Sequence, residues 1–133
     1  MQMALKITLK PGEKFVINGA VIVNGDRRTS LVIQNKVSIL REKDIMLPDQ
    51  ADTPLKRVYF PIMMMYLDEK GQKETYGYFV ERITELMNAI SNREALQTCI
   101  GIIEDVNAGR YYHALLSCKK LLPFEQARLG YVD

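Results

Sequence analysis

The chain has 133 residues, 47% of them hydrophobic and 26% charged, with a net charge of +2 and two cysteines. This is the profile of a soluble globular protein with room for one domain, or for a small sheet packed on a helical layer, and it excludes a polycation. The longest apolar run, Tyr59 to Leu67, falls far short of a bilayer span. The opening MQMALKITLK lacks the apolar core of a signal peptide, so the expected location is the cytoplasm and no membrane partner is expected.

Ala4–Leu9 alternates, with Leu5, Ile7 and Leu9 on one face and Lys6 and Thr8 on the other, which predicts a strand. Pro11-Gly12 marks a turn. Phe15–Ile17 and Ala20–Val23 are short β-branched runs separated by Asn18-Gly19, and Asn24-Gly25 follows. Asn-Gly tolerates the positive φ of a tight hairpin, so both dipeptides predict hairpin turns. Leu31–Ile33 and Val37–Leu40 complete an expected meander of about five short strands. Its apolar face needs a cover, from helices or from a second copy. Pro48 to Asp52 is a polar break. Asp52-Thr53-Pro54 then predicts a helix start, with Thr53 or Asp52 as N-cap and Pro54 in the first helical position. Leu55, Val58, Tyr59, Ile62 and Met65/Tyr66 keep helical spacing, while Pro61 should kink or end the helix. An edge strand over Val58–Met64 is the competing assignment. Asp68 to Lys73, with Gly71, predicts a linker. A helix from about Glu74 to Ile90 would bury Phe79, Ile83, Leu86 and Ile90. Ser91-Asn92-Arg93-Glu94 fits an S-x-x-E capping box opening a helix that carries Leu96, Cys99, Ile100, Ile103 and Val106. Gly109 suits its C′ position. A last helix over about 110–122 shows Tyr112, Leu115, Leu116 and Leu122 before Pro123, and the tail 124–133 is expected to be partly disordered.

Enzyme chemistry finds little support in these residues. His113 is the one histidine, too few for a zinc site or a histidine-based triad. Pro11-Gly12-Glu13-Lys14 lacks phosphate-loop spacing. Asp68-Glu69 and Glu104-Asp105 are adjacent in sequence and diverge on a helix. Cys99 and Cys118 fall on apolar helical patterns without CxxC spacing, as reduced buried thiols do. No catalytic residue, metal or cofactor is therefore expected. Charge is more informative. Residues 1–60 hold ten Lys/Arg against six acidic residues, a balance of +4, and residues 61–133 hold eight against ten, a balance of −2. Two basic clusters stand out, Asp26-Arg27-Arg28 and Leu40-Arg41-Glu42-Lys43-Asp44-Ile45. Each alone is better read as a solvated turn or a charged strand end. Arginine nonetheless suits RNA, because its planar guanidinium bonds phosphate in two places and stacks on unpaired bases. Met63-Met64-Met65-Tyr66-Leu67 reads as core first and as an adaptable protein-binding surface second.

LKPGE, NGA, NGDRR, LREKDIM and YFPIMMMYLD, spread over essentially the whole chain, resemble the FlbT family, flagellar biosynthesis regulators of alphaproteobacteria. That resemblance implies a post-transcriptional regulator of flagellin synthesis, associated with the 5′ untranslated region of flagellin mRNA and with altered stability or translation of that message. The family holds both repressors and positive regulators. The order of Gly12-Glu13, a β-rich middle and Arg41-Glu42-Lys43-Asp44-Ile45 is also similar to the carbon storage regulator CsrA, a small dimeric RNA-binding β protein. By that resemblance Arg41 matches a principal RNA contact and Lys10 a basic position near the end of the first strand. Leu9 and Leu40 depart from that pattern, and the helical half has no counterpart in it.

The expectation is thus an α+β protein, with a small antiparallel amino-terminal β-sheet of CsrA-like type over residues 1–47 followed by three or four α-helices over 52–133. It would bind RNA through Arg41, Arg28, Arg27, Lys43, Lys36 and Lys10 and form a homodimer. The alternative is a protein-interaction module that uses Met63, Met64, Met65 and Tyr66 to bind flagellin or a flagellar regulator such as FlaF, acting on the message indirectly.

Overall fold

The computed structural model describes residues 5–125, without the side chain of Phe124. The predicted tail lies largely outside them. The fold is α+β, and the chain divides into two compact units, Met1–Ile45 and Met46–Asp133.

The first unit holds five strands: β1 (Leu5–Leu9), β2 (Lys14–Ile17), β3 (Ala20–Val23), β4 (Thr29–Ile33) and β5 (Ile39–Arg41), with a 3-10 turn over Glu42–Asp44. They form two antiparallel sheets rather than one meander. β1 pairs with β4, Leu9 opposite Thr29 and Leu5 opposite Ile33. The other sheet has the order β3-β2-β5, with Lys14 opposite Val23 and Phe15 opposite Arg41. Alternation puts Ile7 and Leu9 of β1 and Phe15 and Ile17 of β2 on facing sides of the two sheets, while Val16 and Leu40 bury on the opposite face and all four residues of β3 are exposed. Ile7, Leu9 and Phe15 are buried together, with Ile17, Leu31, Ile33 and Ile39 packed around them.

The two Asn-Gly dipeptides behave differently. Asn18 and Gly19 take φ of 49° and 85°, the paired positive values of a tight β2–β3 hairpin. Asn24-Gly25 does not make a hairpin turn. β3 and β4 lie in different sheets, and the Asn24 side chain is spent on cross-links described below.

The second unit holds a 3-10 turn (Pro48–Gln50) and four helices: α1 (Pro54–Leu67), α2 (Gln72–Ala89), α3 (Arg93–Asn107) and α4 (Tyr111–Leu121). α1 packs on α2 and α4, and α3 packs on α4 and α2. Thr53 caps α1, accepting from the Lys56 N–H at 3.2 Å. Glu125, itself buried, closes the same helix start. Its carboxylate accepts from the Leu55 N–H at 2.9 Å and from the Thr53 hydroxyl at 2.7 Å. A buried carboxylate on an N–H that no intrahelical carbonyl can take, at the positive end of a helix, is favourable on both counts.

α1 runs through Pro61 to Leu67 without ending. Proline removes the donor that the Arg57 carbonyl would take, but Leu55, Val58, Ile62 and Met65 bury completely along the same face, and that packing outweighs one lost bond. The same helix disposes of the edge strand considered for Val58–Met64. Asn92, not Ser91, caps α3, accepting from the Ala95 N–H at 3.0 Å. Gly109, with φ of 77°, ends it. Its buried stripe is Ala95, Cys99, Ile102 and Val106, with Ile100 on the surface. On α4 the buried residues are Ala114, Leu115 and Cys118, while Tyr112 and Leu116 are exposed.

Candidate nucleic-acid interface

Strand direction decides which basic side chains meet. β1 stops, β2 starts, β4 starts and β5 stops at one end of the strand unit, and at that end lie Lys10, Lys14, Arg27, Arg28, Arg41 and Lys43. Lys10 and Arg28 sit one residue beyond the last β1–β4 pair, Leu9 and Thr29. Their loops are stitched together by the Asn24 amide, which donates to the carbonyls of Lys10 at 2.7 Å and Arg27 at 2.9 Å. The Gly12 N–H adds a bond to the Gly25 carbonyl at 2.8 Å. Lys10, Arg27, Arg28 and Lys43 are all exposed, so this end presents cross-linked backbone with solvent-facing cationic side chains.

Arg41 is held differently. Its Nε donates to Glu13 Oε2 at 3.0 Å, and its Nη2 donates to Glu13 Oε1 at 2.9 Å and to the Thr8 carbonyl at 2.8 Å. The guanidinium therefore ties β5 to β1 and to the turn before β2. The Arg41 hydrogen bond is the main cause that holds the Glu13 carboxyl below its ordinary pKa of 4.5, with the Lys10 N–H second. Glu13 in turn raises Arg41 above its usual value. One edge of the arginine fork is thereby committed inside the protein, and Nη1 is the remaining nitrogen. Three further acidic residues share this end. Glu42 accepts from the Lys14 N–H at 2.8 Å, and Asp26 and Asp44 lie on the loops. The field here is positive but modest.

Lys36 does not join the cluster. It sits at the opposite end, in the β4–β5 connection that bonds to the Asn18 turn through Ser38. The methionine stripe is largely core. Met63 and Met65 are buried among the helices, Tyr66 is half-buried with its ring 5.6 Å from that of Tyr112, and Met64 alone of the three methionines is exposed. His113 is on the surface. Cys99 and Cys118 are buried free thiols, and burial raises both, Cys99 to about 11.

Three members of the arrangement escaped sequence reasoning. Lys14 follows the Pro11-Gly12 turn and only the start of β2 brings it to this end. The Glu13–Arg41 pair joins two motifs 28 residues apart, and no local pattern links them. Asn24 carried a turn signal that masked its use as a cross-link.

The family model for Flagellar protein FlbT matches residues 5–129. The chain is 56% identical over 131 residues to the probable flagellum biosynthesis repressor protein FlbT of Caulobacter vibrioides, covering 98% of this chain and 93% of that one. The protein of the same name from Caulobacter sp. (strain K31) is 55% identical, with 98% and 100% covered. That from Agrobacterium fabrum is 34% identical, with 98% and 87% covered. No solved structure matches. Identity at this level over nearly the full length, together with the family match, places the chain in the FlbT family.

Proposed function

We propose that this protein is a cytoplasmic, non-enzymatic regulator that represses flagellum biosynthesis by binding the 5′ untranslated region of flagellin mRNA through the basic end of its strand unit. The observation that carries the reading is the pair of loops bearing Lys10, Arg27 and Arg28, fixed against each other by the Asn24 amide and exposed to solvent. Cross-linked backbone with exposed cationic side chains suits phosphate contact and base stacking in a single-stranded or looped RNA. The repressor names of the relatives support the sign of regulation. Arg27 and Arg28 make the leading contacts, with Lys10 and Lys43 neutralising phosphate. Arg41 joins them through Nη1, or by exchanging Glu13 for a phosphate. Lys36, at the far end, adds long-range field. The CsrA-like dimer belongs to the same reading, with a second copy doubling the number of basic ends.

Fluorescence anisotropy of labelled flagellin leader RNA with the purified full chain tests this, with the mass in solution measured alongside. Arg28→Ala is expected to weaken binding by about 1–3 kcal/mol if Arg28 reads a base. Lys10→Ala lowers affinity for all sequences about equally. Wild-type binding by the Arg27→Ala/Arg28→Ala double variant would remove this end of the molecule from the site.

A further inference from the structure

On the helical unit, α1 and α2 leave a surface groove made of two adjoining hollows of about 250 and 280 Å3. Phe60 and Tyr78 line both. Arg57 and Arg82 line one end, and Met64 and Glu74 the other. From Arg57 to Met64 is two turns of α1, roughly 10 Å at 1.5 Å per residue. Met64 and Tyr78 are 38% and 44% exposed, so the floor is an apolar strip open to solvent.

The arginine end is built rather than incidental. The Arg82 guanidinium stacks over the Tyr78 ring at 4.7 Å, its Nη2 meets the Tyr78 hydroxyl at 3.1 Å, and its Nη1 donates to Glu85 at 2.9 Å. Its Nε is buried without an acceptor among the described residues. Buried donors left unmatched are rare and call for a reason. Arg57 lies across the same hollow and is exposed. An apolar strip two turns long, with Arg57 and the Glu85-paired Arg82 at one end and Glu74 at the other, is complementary in shape and charge to one kind of ligand.

We propose that this groove docks an amphipathic helix of a partner protein, one that carries two apolar anchors a turn apart and a carboxylate one turn further on. The anchors lie over Phe60, Tyr78 and Met64. The carboxylate meets Arg57, which is exposed, beside the Arg82 guanidinium that Tyr78 and Glu85 hold in place. RNA is the poorer occupant, because Glu74 repels a phosphate backbone and Arg57 is the one cation of the lining not already paired with a carboxylate among the described residues. The inference uses no residue of the strand unit and does not rest on the RNA reading.

The test is anisotropy of designed labelled helical peptides with the full chain. All share one leucine pair, and they differ only in whether the terminal residue is Glu, Gln or Lys. The expected order of affinity is Glu, Gln, Lys, with about tenfold between the first and last, shrinking as salt rises. Arg57→Glu is expected to reverse the order, Arg57→Gln to flatten it, and Met64→Lys to weaken every peptide. Arg57 and Met64 are exposed, and circular dichroism checks that each variant folds. The proposal is overturned if the Glu peptide binds no better than the Lys peptide, or if Arg57→Glu leaves the order intact. RNA titration of Arg57→Glu, expected to match wild type, separates this outcome from that of the strand unit.

Discussion

Arg41 is committed to Glu13 before any ligand arrives, and that pairing sets an acid sensitivity. Because Arg41 holds the Glu13 carboxyl below 4.5, the folded protein binds fewer protons there than the unfolded chain. The stabilisation is full above the ordinary glutamate value and is lost as pH falls through the depressed one. Urea midpoints of the strand unit, followed down through the carboxylate range, should therefore drop less in Glu13→Gln, which starts lower and has no charge to lose. Glu125 is the counterpart on the helical unit. Glu125→Ala strips an acceptor from the Leu55 N–H and from the Thr53 hydroxyl and should cost about 1–3 kcal/mol by denaturant melt, with Glu125→Gln milder. Neither contact was legible in the sequence. Both join residues far apart along the chain, and a carboxylate in a polar stretch looks alike whether it is solvated or spent.

At the scale of elements, periodicity was the dependable guide. Phe79, Ile83, Leu86 and Ile90, expected on one helix face, are all buried, the first three on α2 and Ile90 at its C-cap. It was less sure on α3, which is apolar on more than one side. Two stripes competed, and the one through Ala95, Cys99, Ile102 and Val106 won because it faces the neighbouring helices. The difference is measurable. Ile102→Ala should destabilise by about 2–5 kcal/mol, whereas Ile100→Ala should fall within about 0.5 kcal/mol of wild type, both by thermal or urea unfolding. Turn chemistry was half legible. Asn18-Gly19 took the backbone that its residues favour, while Asn24 used its side chain instead. Proline was the weakest signal, since the burial of α1 on its apolar face tolerates Pro61.

For the molecule as a whole, the α+β class and the order of strands before helices follow from composition and pattern, whereas pairing of β1 with β4 across the intervening hairpin does not. The charge asymmetry reads the same way. A count along the chain puts ten basic residues in the first half, and only the strand order gathers six of them at one end while leaving Lys36 at the other, with Lys56 and Arg57 on α1. About three phosphate contacts there, at roughly −0.7 each for a single strand, predict a slope near −2 in log affinity against log salt. Arg27→Ala/Arg28→Ala should reduce that slope as well as the affinity. The thiols make a separate expectation. Cys99 and Cys118 are buried and raised by that burial, so alkylation of the native protein at neutral pH should be slow and should track unfolding.

The clasp of Glu125 on the start of α1 spans 70 residues, and synthesis runs in one direction only. A nascent chain lays down Thr53 and Leu55 early and must carry that helix start open to water until α4 and the turn after it have been made. Completion of the helical unit is thus tied to arrival of its last described residue, and a chain stopped before Glu125 would hold α1 to α4 yet lack the clasp that seals the first one. Pulse proteolysis of such truncated chains should find cleavage rising near residue 53 before it rises anywhere in α2 or α3.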